Sequence, residues 1–178
     1  MTIAIILVIA ATLSLIGIVA VAVSRSLQIS AEANLDSQIH PLDIEAFRNL
    51  ADPAEDAYLR RRLPAFEYRK VRRTRLRALT VYVQTAGRNA AVLVRMGQNA
   101  LASSDTATAE AARQLVDQAL LLRRNAALAL LRIYGARFRP NSDLPAASVL
   151  YGYRQLSGAA MLLGRLQNPA APVRILLW

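Results

Sequence analysis

The chain has no cysteine, one histidine, one lysine and one tryptophan in 178 residues. Without cysteine there is neither a disulfide nor a thiolate-held metal. A single histidine excludes a histidine cluster, and a serine–histidine triad is not expected. His40 directly precedes Pro41 and reads as the end of a turn. Glycine-rich phosphate loops, dinucleotide fingerprints and metal-protease helices are missing, as are internal repeats and low-complexity tracts. Carboxylates that cluster, such as Asp52 with Glu55 and Asp56, read as acids at a helix start rather than a hydrolytic pair. Tyr151 and Tyr153 could line a pocket, although tyrosines on helix packing surfaces are commoner. These absences point away from an enzyme, and no catalytic residue, cofactor or metal is expected.

Negative charge is also scarce. Twelve acids face 22 basic residues, a net charge of +10, and Lys70 is the only base that is not arginine. What the chain has in excess is apolar residues, 54% of the total, with a mean hydropathy of +0.27. Much of that excess is local. Residues 3–23, IAIILVIAATLSLIGIVAVAV, carry no charge, and at ~1.5 Å per residue they reach roughly 30 Å, one hydrocarbon thickness. The run reads as a single N-terminal transmembrane helix. A cleaved signal peptide is the alternative, on Ala20-Val21-Ala22. Against it, no basic residue precedes the run, which also exceeds the usual ~7–15 residues. Arg25 and the later basic block favour the N-terminus outside and the rest of the chain in the cytoplasm, anchored to the cell membrane.

Four segments follow from the pattern: an anchor over 1–25, an acidic connector with short helices over 26–63, a helical bundle over 64–168, and an apolar tail over 169–178. The fold class is all-α, with an antiparallel three-helix bundle of long helices after the span. Within the connector, residues 26–57 hold seven acids (Glu32, Asp36, Asp43, Glu45, Asp52, Glu55, Asp56) against Arg48 alone. Its DPAE sequence predicts a helix start with Asp52 as N-cap and Pro53 at the first helical position. From Pro64 to about Ala102, Leu76, Leu79, Val83, Ala86, Ala90, Leu93, Gly97 and Ala100 recur at three- and four-residue steps, as in one strand of a coiled coil. A turn with Ser104 or Asp105 as cap leads to a second helix, ending near Phe138. Its seam is Ala112, Leu115, Ala119, Leu122, Ala126, Ala129, Ile133 and Ala136. A third helix, about Ala146 to Gln167, aligns Val149, Gly152, Leu156, Ala159, Leu163 and Leu166. Arg154 and Arg165 leave only ten uncharged residues between them, which argues against a second span.

The stretch YLRRRLPAFEYRKVRRTRLRAL, Tyr58 to Leu79, packs nine basic residues around one acid, Glu67. The apolar seam lapses here, since Arg69 and Arg72 stand where Leu76 and Leu79 would continue backwards. With Arg137 and Arg139 from the end of the second helix, this makes one pole of the bundle cationic. Arg69, Arg72, Arg73, Arg77, Arg137 and Arg139 are the candidate contacts. Three partners could neutralise them: the protein's own acidic connector, an anionic membrane surface or acidic face of a membrane complex, or nucleic acid, since Phe66 and Tyr68 stand among the arginines and could stack on bases. The second helix is apolar all round in its later half, with Leu121 and Leu128 on the face that earlier held Glu110, Asp117 and Arg124. Such a face calls for burial by the connector and tail or by a partner. The tail PVRILLW is expected to dock in a groove with Trp178 as anchor. The sequence therefore suggests a non-catalytic, single-pass accessory or scaffolding subunit of a larger membrane assembly. Its expected partners are the bilayer, anionic lipid, and other subunits or copies of itself. The alternative is a membrane-tethered helical module that binds nucleic acid.

Overall fold

Two aspartates set the first two helices. The computed structural model describes residues 39–136 and 147–167, with the single positions 6, 14 and 17. Within it, Asp43 accepts a hydrogen bond from the Ala46 amide at 2.9 Å, and Asp52 accepts one from the Ala54 amide at 2.8 Å. Each side chain satisfies an amide that a helix start leaves open. Asp43 begins α1 (Ile44–Ala51) and Asp52 begins α2 (Pro53–Arg62), with Pro53 in the first turn as its fixed φ allows. Pro64 then separates α2 from α3 (Ala65–Ala100), a 36-residue helix roughly 54 Å long. Asp105 accepts from both the amide and the hydroxyl of Thr108, at 2.9 and 2.6 Å, and so caps α4 (Thr106–Ala136). The last helix is α5 (Ala147–Gln167). The described residues form helices and no strand.

Every residue of the predicted α3 and α4 seams is buried. The mixture of small and large residues lets the two helices pack closely as a hairpin. At Gly97 the approach leaves no room for a side chain: a Cβ there would lie 2.7 Å from Val116 Cγ2 and 3.2 Å from the Ala112 carbonyl oxygen. α4 packs between α3 and α5. On α5, Val149, Leu156, Ala159 and Leu163 are buried, while Leu166, in the final turn, is exposed.

Three long helices do not close the core by themselves. The connector supplies a fourth wall, because α1 touches both α3 and α5. It brings in Phe47 and Ala51, with Leu42 just before it, and all three are buried. The Phe47 ring stacks on Tyr82 with centroids 5.4 Å apart. Among the described residues no helix is long and apolar enough to cross a membrane. Apart from the single positions 6, 14 and 17, the expected span over 3–23 lies outside the described residues, as do Glu32, Asp36, Arg137, Arg139 and the tail with Trp178.

Candidate anionic-surface site

The arginine-rich start of α3 has four distinct sides. Helical geometry puts Phe66, Arg69, Lys70, Arg73 and Arg77 on one face, at steps of three and four. Arg72 faces the core side, Arg75 faces α1, and Val71, Thr74 and Ala78 lie between Arg75 and the first face. Similar residue types in one short stretch therefore meet different surroundings.

Arg72 is 5% exposed, so it does not share the surface predicted for it. One of its terminal nitrogens donates to the Tyr68 hydroxyl at 2.9 Å and lies 3.5 Å from the Asp56 carboxylate, to which Tyr68 donates in turn at 3.0 Å. A charge so buried persists only with such partners. Arg75 is 8% exposed. It donates to the carbonyls of Asn49 and Leu50 at 3.1 and 3.2 Å, and pairs with Glu55 at 3.3 Å. These carbonyls close α1, where the helix leaves acceptors open and favours a cation. Arg75 thus caps α1 from another helix.

The described connector acids are all engaged. Asp43 and Asp52 cap helices, Glu45 pairs with Arg48, Glu55 with Arg75 and Asp56 with Arg72. The connector therefore neutralises two arginines of the basic block. No ion pair among the described residues reaches Arg69, Lys70, Arg73 or Arg77. Together with Phe66 and Thr74, these four line an open cleft of about 410 Å³. Phe66 is 76% exposed. Arg69 is steadied by a hydrogen bond from its Nε to the Ala65 carbonyl at 3.0 Å. On the next side of α3, Leu50, Glu67, Lys70, Val71, Thr74, Arg75 and Ala78 line an apolar groove of about 530 Å³. Lys70 and Thr74 belong to both.

Away from this end, Asn89 is fully buried and fastens the connector to the bundle. Its Oδ1 accepts from the His40 amide at 3.0 Å, and its Nδ2 donates to the His40 carbonyl at 2.7 Å and to the Tyr153 hydroxyl at 3.0 Å. Burial pushes the Tyr153 hydroxyl above its ordinary pKa, and the Asn89 donor opposes that shift. Sequence reasoning took Tyr153 for packing and passed over Asn89 and Arg75. The available signal for Asn89 was one amide beside the apolar run Ala90 to Val94. Tyr151, by contrast, is exposed and accepts from Gln155. On the outer face of α4, Leu120, Leu121, Leu128 and Leu131 are exposed around Arg124. No group of three or more metal-binding side chains occurs among the described residues. No family model matches the chain, and no curated protein or solved structure does either.

Proposed function

We propose that this chain is a non-catalytic accessory or scaffolding subunit of a membrane-associated assembly. In this reading an N-terminal span tethers the bundle on the cytoplasmic side, and the exposed face of α3 lies against an anionic surface. The observation that carries it is the division of the arginine block. Connector carboxylates take up Arg72 and Arg75, while Arg69, Lys70, Arg73 and Arg77 stay on one outward face with no carboxylate partner among the described residues. A basic residue close to an anionic leaflet contributes about 1 kcal/mol, so the four together amount to ~4 kcal/mol before screening. The apolar run over 3–23 supports the membrane as the setting, and the exposed leucines of α4 offer an apolar face to a neighbouring subunit.

Exposed Phe66 beside Arg69 and Arg73 is the feature that favours the nucleic-acid alternative. Purification of the full chain in mild detergent separates the two. The membrane reading expects stoichiometric membrane proteins and anionic lipid. It also expects the triple variant Arg69→Gln, Arg73→Gln and Arg77→Gln to weaken anionic-surface attachment by about a hundredfold at low salt. Recovery of nuclease-sensitive nucleic acid alone, with attachment to anionic membranes unchanged in the variant, overturns it.

A further inference from the structure

The cationic cleft and the apolar groove share a border, and that border is chemically suited to one kind of molecule. Val71, Ala78 and Leu50 give the groove its apolar walls, Leu50 arriving from α1 across the Arg75 cap. Lys70 stands at the rim, with Arg69 and Arg73 beyond it on the cleft side. The groove's volume of about 530 Å³ is within the ~300–1,000 Å³ usual for small-ligand sites. Resting on the reading of the α3 face as membrane-directed, we infer that this end of the bundle holds an individual anionic phospholipid. One acyl chain lies along Leu50, Val71 and Ala78, and the phosphate rests on Lys70, Arg69 and Arg73.

Charge complementarity selects the occupant. A zwitterionic lipid brings its own ammonium against the four cations of the cleft and neutralises none of their net charge. A soluble phosphate would use the cations and leave the apolar groove to water. Glu67 lines the groove as well, and its carboxylate repels an anion placed inside. This excludes a fatty acid with its own carboxylate in the groove and directs the negative group outward to the arginines. Arg75 also borders the groove, but its guanidinium is committed to Asn49, Leu50 and Glu55. Thr74 donates its hydroxyl to the Lys70 carbonyl at 3.3 Å, leaving the phosphate to the cations.

Native mass spectrometry tests this on the full chain extracted in mild detergent from membranes of phosphatidylcholine and phosphatidylglycerol. One phosphatidylglycerol should stay bound per chain, and it should persist in about 1 M salt, where a ~3 Å Debye length removes loose surface attraction. Ala78→Trp fills the groove from α3 and Leu50→Gln makes its far wall polar. Each should reduce retention at least tenfold. Hydrogen-exchange protection of α3 on phosphatidylglycerol nanodiscs reports the cationic face separately and should remain in both. Equal retention of phosphatidylcholine overturns the inference, as does full retention in both groove variants, and neither result touches the cationic face. Loss of nanodisc protection in neither the groove variants nor the triple glutamine variant would instead sink the membrane-facing reading itself. Helical circular dichroism of each variant confirms that its fold is intact.

Discussion

Replacing Asn89 by alanine is the most informative single perturbation of this fold. Two of its hydrogen bonds go to the His40 backbone. His40 lies at the surface, so water can take over there, and each bond costs about 1 kcal/mol net. The third partner, the Tyr153 hydroxyl, is 1% exposed and would be left without its donor. Stranding a buried polar group costs about 1–3 kcal/mol. The sum is about 4 kcal/mol, a large part of the ~5–15 kcal/mol typical of a domain. At ~3 °C per kcal/mol for a chain of this size, Asn89→Ala should lower the Tm of the full chain in detergent by about 12 °C. The double variant Asn89→Ala with Tyr153→Phe removes both partners and should recover about 1–2 kcal/mol, a coupling visible in a double-mutant cycle. Tyr153 adds an alkaline signature. Its folded-state pKa is raised above the unfolded value near 10. Its contribution is therefore complete below about pH 10 and lost as pH rises through the folded pKa. Tyr153→Phe should abolish that alkaline component. A Tm change under about 3 °C for Asn89→Ala, with an additive cycle, would refute the clamp.

Gly97→Ala should destabilise by about 1 kcal/mol despite alanine's better helix propensity, because the new Cβ meets Val116 and the Ala112 carbonyl, and Val116→Ala should relieve it. Gly158 has open space around its missing Cβ, so Gly158→Ala should stabilise by about 0.5–1 kcal/mol in the same melts. Thr108's hydroxyl, then its amide, hold the Asp105 carboxyl below the ordinary carboxylate range. The cap thus contributes above about pH 4 and is lost as pH falls through the lowered pKa, so the Tm gap to Asp105→Ala should close on acidification. A cysteine at Ser104 should resist an impermeant thiol reagent in intact cells and react after lysis; labelling of intact cells would reverse the proposed orientation.

The bundle was largely legible because its signal is local. The α3 and α4 seams repeat one spacing for eight positions each, and side chains at that spacing share a face whatever the rest of the chain does. The cap at Asp52 is legible for the same reason, since an N-cap acts within three residues, and the second cap is narrowed to Ser104 or Asp105, of which the structure uses Asp105. The roles of Arg69, Arg72 and Arg75 were not. Their identities are the same, and what separates them is the position of Asp56, Glu55 and the end of α1, which depends on how the connector folds back. Asn89 escaped notice because a lone amide beside an apolar run fixes nothing until its partners, 49 and 64 positions away, are known. The same periodicity marks the exposed leucines of α4, but it does not say whether connector, tail or partner covers them.

The way the connector is fastened gives the molecule a mechanical character. Around His40 the connector is gripped by Asn89, well inside α3 rather than at its end. A pull on His40 would load α3 at Asn89, about two thirds of the way along that helix, as well as α1. The second grip, Arg75 on the carbonyls of Asn49 and Leu50, holds the far end of α1 to the same helix. Tension on the connector would thus be shared between two points on one helix, Asn89 and Arg75.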